Sequence, residues 1–285
     1  MRLLRSARAG IAVACASTLA AATLAPIAST ASSSSAGAEA APLQSISIKV
    51  AKKAITVRGA KGLDAGRIEV SVTGRGVAEI MLFDRGYDEQ DFRKDLGKFE
   101  QKNDIKALKR FLKNTEILGG VQPGSTGTIV LPKAGDYTVF SFGSRGLGRF
   151  SAAAGKSSPA PKHDAKIVGR TGPTWGGSSS LPKKGTLLFK NADKTVPHFV
   201  LMQQVAEGTT TDQVLEFFMS EAQGPPPEWF LPGNLETGSL SPGRSMTVDY
   251  KLPPGQYVLV CFFPDPNMQG MPHAFMGMIE MVTVG

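Results

Sequence analysis

Cysteine and histidine are scarce in this 285-residue chain, which has two of the first and three of the second. Cys15 falls in an Ala-rich leader, so the remainder holds Cys261 alone, and no intrachain disulfide can brace it. Its stability must come from hydrophobic cores. Long apolar runs are missing too: Ile11 to Ala25 is diluted by Ser and Thr and falls short of the ~20 residues of a spanning helix. A strong charge excess is also absent. The formal charge is +8, or +5 once residues 1–38, with three arginines and no acid, are set aside. Few aromatics interleave the basic residues of Lys102–Lys113, which excludes a nucleic-acid surface and leaves a solvated helix face. Electrostatic docking of an acidic partner stays open. No nucleophile elbow is present, since Gly143-Ser-Arg-Gly146 lacks the strand–turn–helix setting and a neighbouring His. Asp84 with Asp88 or Asp91, and Glu216 with Glu221, read as surface carboxylates, and Gly143 to Gly148 as a turn rather than a phosphate cradle.

What is present begins with an export pattern. Arg2, Arg5 and Arg8 precede the apolar stretch, and small residues offer cleavage after Ala31 or Ala38. Ala12 stands where a lipoprotein signal prefers Leu, which argues against lipid attachment at Cys15. The expectation is a signal peptide over 1–38, disorder over 39–44 and an exported protein without a transmembrane segment.

The remainder repeats itself at an offset of about 120 residues. Gly66–Val72 leads to Val77–Phe83, as Gly185–Asn191 leads to Pro197–Met202. Helical inserts follow, Asp88 to Phe111 and Thr211 to Met219, both opening on residues suited to a helix N-terminus. Next come the turns Val121-Gln-Pro-Gly124 and Leu240-Ser-Pro-Gly243, then turn-and-strand segments Lys133–Phe142 and Pro253–Phe262. Helical spacing of Ile105, Leu108, Phe111 and Leu112 predicts a helix over Lys102–Lys113. Short β-rich runs between Pro-Gly turns predict an all-β chain of two tandem Greek-key sandwiches, each with a helical insert. The boundaries fall at 45–150 and 165–285, with a Ser/Gly/Pro/Lys-rich linker at 151–164. His163 lies in that linker and reads as solvent-exposed.

Cys261 ends the strand-like run Tyr257–Phe263, and His273, Met276 and Met278 follow a Pro-rich loop. His198 opens an apolar run in the same half. One thiolate, two imidazoles and a thioether are the donors of a type 1 copper site. In the first half Ala78 takes the place of His198 and Ser141 that of Cys261, so only the second half can hold such a site.

Asn191 with Pro197-His198, Pro254-Gly-Gln-Tyr257 leading to Cys261, and Pro272-His-Ala-Phe-Met276-Gly-Met278 before Ile279–Val284 resemble the cupredoxin family of plastocyanin-like blue copper proteins. The resemblance spans about 120 residues and implies cupredoxin-like sandwiches, the first a metal-free repeat. It implies one copper held by His198, Cys261, His273 and an axial Met: Met278 by plastocyanin spacing, Met276 by amicyanin spacing. Eleven residues, Phe262 to Pro272, separate Cys261 from His273, more than the family usually places there, and closing a longer loop costs slightly more entropy. Phe199, Phe262, Phe263 and Phe275 would keep water from the metal.

Three histidines are too few for a multicopper oxidase or for a copper nitrite reductase within one subunit. The expected function is therefore not an enzyme's. It is copper-dependent electron transfer or copper handling with a redox or envelope protein as partner. Two alternatives remain. One is a metal-free two-domain sandwich that binds an envelope partner. The other is a Cu(I) site built from His273, Met268, Met271, Met276 and Met278 without Cys261.

Overall fold

A computed structural model describes residues 42–220 and 225–285; the expected signal peptide, Cys15 and the Ser-rich stretch up to residue 41 lie outside the described residues. Inward Ile46, Ile48 and Val50 alternate with outward Ser45, Ser47 and Lys49 along β1 (Gln44–Val50), the pattern of a half-buried strand. This strand already includes Gln44, which the expected disorder over 39–44 had left out. Gln44 is pinned because its side-chain oxygen accepts the Asp64 N–H at 2.8 Å.

In the first half, β1, β2 (Ile55–Arg58), β3 (Gly66–Gly74) and β6 (Thr126–Leu131) form one layer. The other layer comprises β4 (Ala78–Phe83), β5 (Thr115–Val121), β7 (Gly135–Phe140) and β8 (Gly148–Ala152). The second half repeats this plan. β9 (Ala165–Arg170), β10 (Thr174–Gly177), β12 (Lys184–Asn191) and β15 (Ser245–Lys251) face a sheet of β11 (Ser180–Leu181), β13 (Leu201–Val205), β14 (Phe230–Glu236), β16 (Gly255–Val260) and β19 (Ile279–Val284). The chain is all-β in architecture, as expected. Each half also carries a tyrosine corner: the Tyr137 hydroxyl donates to the Lys133 carbonyl, and the Tyr257 hydroxyl to the Pro253 carbonyl at 2.8 Å.

The sequence did not reveal that the halves share a sheet. β15 pairs antiparallel with β6, Thr247 opposite Thr128 and Val248 opposite Gly127, giving eight strands in one layer. Both halves contribute to one continuous set of buried side chains. The expected linker 151–164 is also more tightly held than its composition implied. Ser151 and Ala152 finish β8, the Arg67 N–H donates to Ser157 Oγ at 3.1 Å, and the Arg67 guanidinium donates to the Ser158 carbonyl at 2.6 Å. Backbone groups beside a sheet edge find partners wherever they can.

The helical inserts join β4 to β5 and β13 to β14. In the first, the structure breaks the helix expected over Lys102–Lys113. α1 (Glu89–Lys102) stops at Asn103, which is left-handed with φ 51°, and Asp104 caps α2 (Ile105–Lys113) by accepting the Ala107 N–H at 3.0 Å. Asn tolerates that conformation and Asp is a strong N-cap, so the pair acts as stop and start. Lys102, Lys106, Lys109, Arg110 and Lys113 do face solvent. The second insert is α3 (Thr211–Met219), opened by a capping box between Thr210 and Gln213.

Candidate metal centre

His198 sits just before β13 and is fixed through its backbone, donating to the Leu240 carbonyl at 3.2 Å and accepting from the Leu240 N–H at 2.7 Å. Asn191, fully buried at the end of β12, braces the approach. Its amide donates to the carbonyls of Val196 (2.9 Å) and Leu240 (2.8 Å), and its oxygen accepts the Asp193 N–H at 2.9 Å. The imidazole lies against Gly169, where a Cβ would meet its Cδ2 at 2.7 Å, so a residue without a side chain makes room for the ring.

Cys261 follows β16 directly. Its N–H donates to the Met278 carbonyl at 3.2 Å, and its carbonyl accepts the Ala274 N–H at 2.7 Å. The His273 N–H donates to Phe263 at 3.0 Å, and the Met278 N–H to His273 at 3.0 Å. These bonds fold the Cys-to-His segment back on itself. The eleven-residue separation forms a hairpin, β17 (Pro264–Asp265) against β18 (Met271–Pro272), followed by a 3-10 turn over His273–Met276. At its tip the Gln269 carbonyl accepts from the Asn103 side chain of the first half at 3.3 Å. The long loop is thus structured and docked, at the junction of α1 and α2.

The outcome is a convergence of donors. Cys261 Sγ lies 3.8 Å from His198 Nδ1 and 3.6 Å from His273 Nδ1, and the two Nδ1 atoms are 3.0 Å apart. Bonds of about 2.0–2.1 Å to nitrogen and about 2.3 Å to sulfur, the lengths of zinc sites, would space donors around a trigonal ion by roughly 3.5–3.8 Å. Both sulfur–nitrogen distances fit, and the imidazoles need to part by only about half an ångström. All three residues and Met278 are 0 % exposed. Met276 is half-buried on the 3-10 turn, whereas Met278 is fully buried and its carbonyl accepts the Cys261 N–H. The buried His198–Cys261–His273 group with Met278 beside it fits a type 1-like copper site. Phe199, Phe262 and Phe263 are buried around it and Phe275 is half-buried, keeping water off. The first three also line a cavity of ≈ 1210 Å³ that reaches Phe92, Phe140 and Phe142 in the first half.

Burial holds both imidazoles neutral, with His198 pushed down to about 4 and His273 to about 3. A neutral imidazole keeps one lone pair that a metal can take at neutral pH. The same depression links stability to pH. Below the ordinary value of 6.5 the unfolded chain takes up protons that the folded chain refuses until about 4 and 3, so folding weakens as pH falls through that window. Chelator-treated protein should lose on the order of several kcal/mol between pH 6.5 and 4. Melting curves across that range check this, and a flat profile would contradict it.

No protein-family model matches the chain, and no curated sequence matches it. Solved structures do. The chain is similar to sodium-dithionite-reduced auracyanin of the photosynthetic bacterium Roseiflexus castenholzii, at 22% identity over 42% of this chain and 94% of that one, with a TM-score of 0.29. It is similar to auracyanin A, a "blue" copper protein of Chloroflexus aurantiacus, at 15% identity over 42% and 96%, TM-score 0.26. It is also similar to the copper nitrite reductase of Nitrosomonas europaea, at 10% identity over 85% and 93%, TM-score 0.24.

The first half repeats the frame without the donors. Ala78 pairs with Val121 as His198 pairs with Leu240. Ser141, in the place of Cys261, turns its hydroxyl to the Arg75 carbonyl at 3.3 Å and accepts the Gly143 N–H at 3.2 Å. His163 is exposed, as expected. Met268 and Met271 are 47% and 44% exposed on the hairpin, whereas His273 is fully buried. Two residues near the site had escaped notice, Asp193 and Asp265, one behind each imidazole. Asn191-x-Asp193 and Pro264-Asp265-Pro266-Asn267 carry turn-forming residues, but nothing local ties either aspartate to an imidazole.

Proposed function

We propose that this chain is an exported, cupredoxin-like protein that binds one copper in its C-terminal half and serves electron transfer or copper handling rather than catalysis. The convergence of Cys261 Sγ and the two imidazole Nδ1 atoms into one buried triangle carries this reading. His198 and His273 would supply the nitrogen donors, Cys261 the thiolate and Met278 a weak thioether, with Met276 as the substitute. Bound there, copper would supply one-electron redox chemistry with a potential tuned by the thioether. The chain contributes rigidity. Backbone bonds from Leu240, Met278 and Ala274 hold the donors in place, which limits rearrangement between oxidation states. Since no ligand reaches the surface, electrons must cross a phenylalanine shell, and the cavity lined by Phe199, Phe262 and Phe263 is the open space beside it. A redox or envelope partner would supply or accept the electron.

Addition of one equivalent of Cu(II) should give an intense blue thiolate-to-copper band. It should raise stability by about 4 kcal/mol when free copper is a thousandfold above its dissociation constant. Visible absorption and thermal melting read both. A colourless protein whose melting temperature ignores copper would leave the metal-free binding protein as the function.

A further inference from the structure

The geometry points to Asp193 and Asp265 as the residues that position the two imidazoles for the metal, each carboxylate holding one ring in the tautomer that bares Nδ1. This rests on the copper reading above. Both aspartates are buried. Asp193 Oδ2 stands 3.5 Å from His198 Nε2, and Asp265 Oδ2 stands 3.8 Å from His273 Nε2. Neither Nε2 makes a well-formed hydrogen bond, although both are shut away from water and the Arg170 backbone also acts on His198. A buried, unsatisfied ring nitrogen facing a buried carboxylate calls for an account.

The division of labour within each aspartate supplies one. Asp193 Oδ1 accepts from the Thr195 N–H (2.7 Å), the Thr195 hydroxyl (2.9 Å) and the Val196 N–H (3.2 Å), which builds the turn before His198. Asp265 Oδ1 accepts from the Asn267 N–H at 2.7 Å, which builds the hairpin. In both, one oxygen is committed to a turn and the other faces an imidazole. The same arrangement thus occurs twice, on unrelated loops, once per histidine. Asp265 exists at this place because the Cys-to-His segment is long enough to form a hairpin, whose carbonyl at Asp265 ties down Met268 (3.2 Å) and Gly270 (2.8 Å).

The proton positions give the carboxylates their role. Two Nδ1 atoms at 3.0 Å need a proton between them, so one ring carries its hydrogen on Nδ1 and turns an Nε2 lone pair toward a carboxylate. That pairing repels, which accounts for one of the two separations being longer than a hydrogen bond. With the hydrogen on Nε2 instead, Nδ1 becomes a metal donor and Nε2–H donates to the aspartate. The carboxylate then fixes the ring and makes it a stronger donor. A negative charge behind each imidazole also favours Cu(II) over Cu(I), so the pair should hold the potential down.

The test uses the full chain with Asp193→Asn and Asp265→Asn. Asparagine keeps the oxygen that builds each turn, so melting temperatures should stay near wild type. Its amide would donate to Nε2 and favour hydrogen on Nδ1, the tautomer that blocks coordination. Each variant should bind Cu(II) 10- to 100-fold more weakly. Cu(I) affinity should move less, raising the potential by about 59 mV for every tenfold difference between the two losses. Imidazole nitrogen NMR of chelator-treated protein should show hydrogen moved to Nδ1 of the affected ring. A purely structural role would lower melting temperatures and leave tautomers and potential unmoved. If wild type turns blue with Cu(II) while both variants keep its affinity, potential and tautomers, the positioning role is overturned and the copper site stands. If wild type never turns blue, the copper reading falls, and the tautomers of the chelator-treated variants still decide the role of the aspartates.

Discussion

Replacing Cys261 by alanine is expected to abolish the blue band entirely and to remove most of the stabilisation that copper confers. The intense absorption requires a thiolate bonded to Cu(II), and Cys261 is the sole sulfhydryl among the described residues. Two imidazoles and a thioether would remain, a set able to hold Cu(I) weakly but unable to make a colour. Copper-linked stabilisation of about 4 kcal/mol at a thousandfold excess over the dissociation constant should fall toward zero at the same free copper. The metal-free fold should survive, because the sulfur is a small part of a core that includes Phe199, Phe262, Tyr257 and Val260, and its loss costs about 1 kcal/mol. Visible spectra and melting curves with and without copper read both effects. A variant that kept the band would place the donor elsewhere and sink the assignment. Copper affinity left at its wild-type value without colour would point to the set of His273, Met268, Met271, Met276 and Met278.

The three residues that converge, His198, Cys261 and His273, were legible because their chemistry is rare in this composition. A chain with three histidines places two of them on either side of one cysteine, and each stands beside a strand whose pattern could be read. The repeat was legible for the same local reason. Pro-Gly turns, helix N-terminal residues and apolar alternation depend on neighbours in sequence, so α3 and β19 emerged at the expected residues. Whatever depends on distant partners stayed hidden. Nothing near Thr128 or Thr247 announces that β6 and β15 will pair across the halves. The carboxylates of Asp193 and Asp265 acquire their positions behind the imidazoles only after each turn has folded. The break at Asn103-Asp104 was locally encoded, yet the apolar spacing continued through it and masked it.

The seam between the halves gives the second large effect. Gly238 belongs to the segment that carries the partner of His198, and its N–H donates to the Gly120 carbonyl of the first half at 2.7 Å. On one side of it Thr237 bridges Val121; beyond it Leu240 bridges both Leu118 and His198. The Ser239 N–H and hydroxyl both donate to Glu79 Oε1 at 3.0 Å, and the Ser241 N–H donates to Ile117 at 2.8 Å. A Cβ on Gly238 would lie 2.6 Å from Gly120 N and 2.8 Å from Gly120 Cα, and backbone atoms cannot swing aside as a side chain would. Gly238→Val must therefore part the two strands and break this run of bonds together. Loss of a buried hydrogen-bond network with overpacking is among the few changes that cost more than about 4 kcal/mol. The displacement does not stop at the seam. Leu240 holds His198 by two backbone bonds, so the imidazole would shift with it, and Cu(II) affinity should fall even though no ligand is altered. Denaturant melts and copper competition on the same variant read both consequences. A Gly238→Val protein with wild-type stability and copper affinity would show that the first half merely accompanies the metal centre and does not support it.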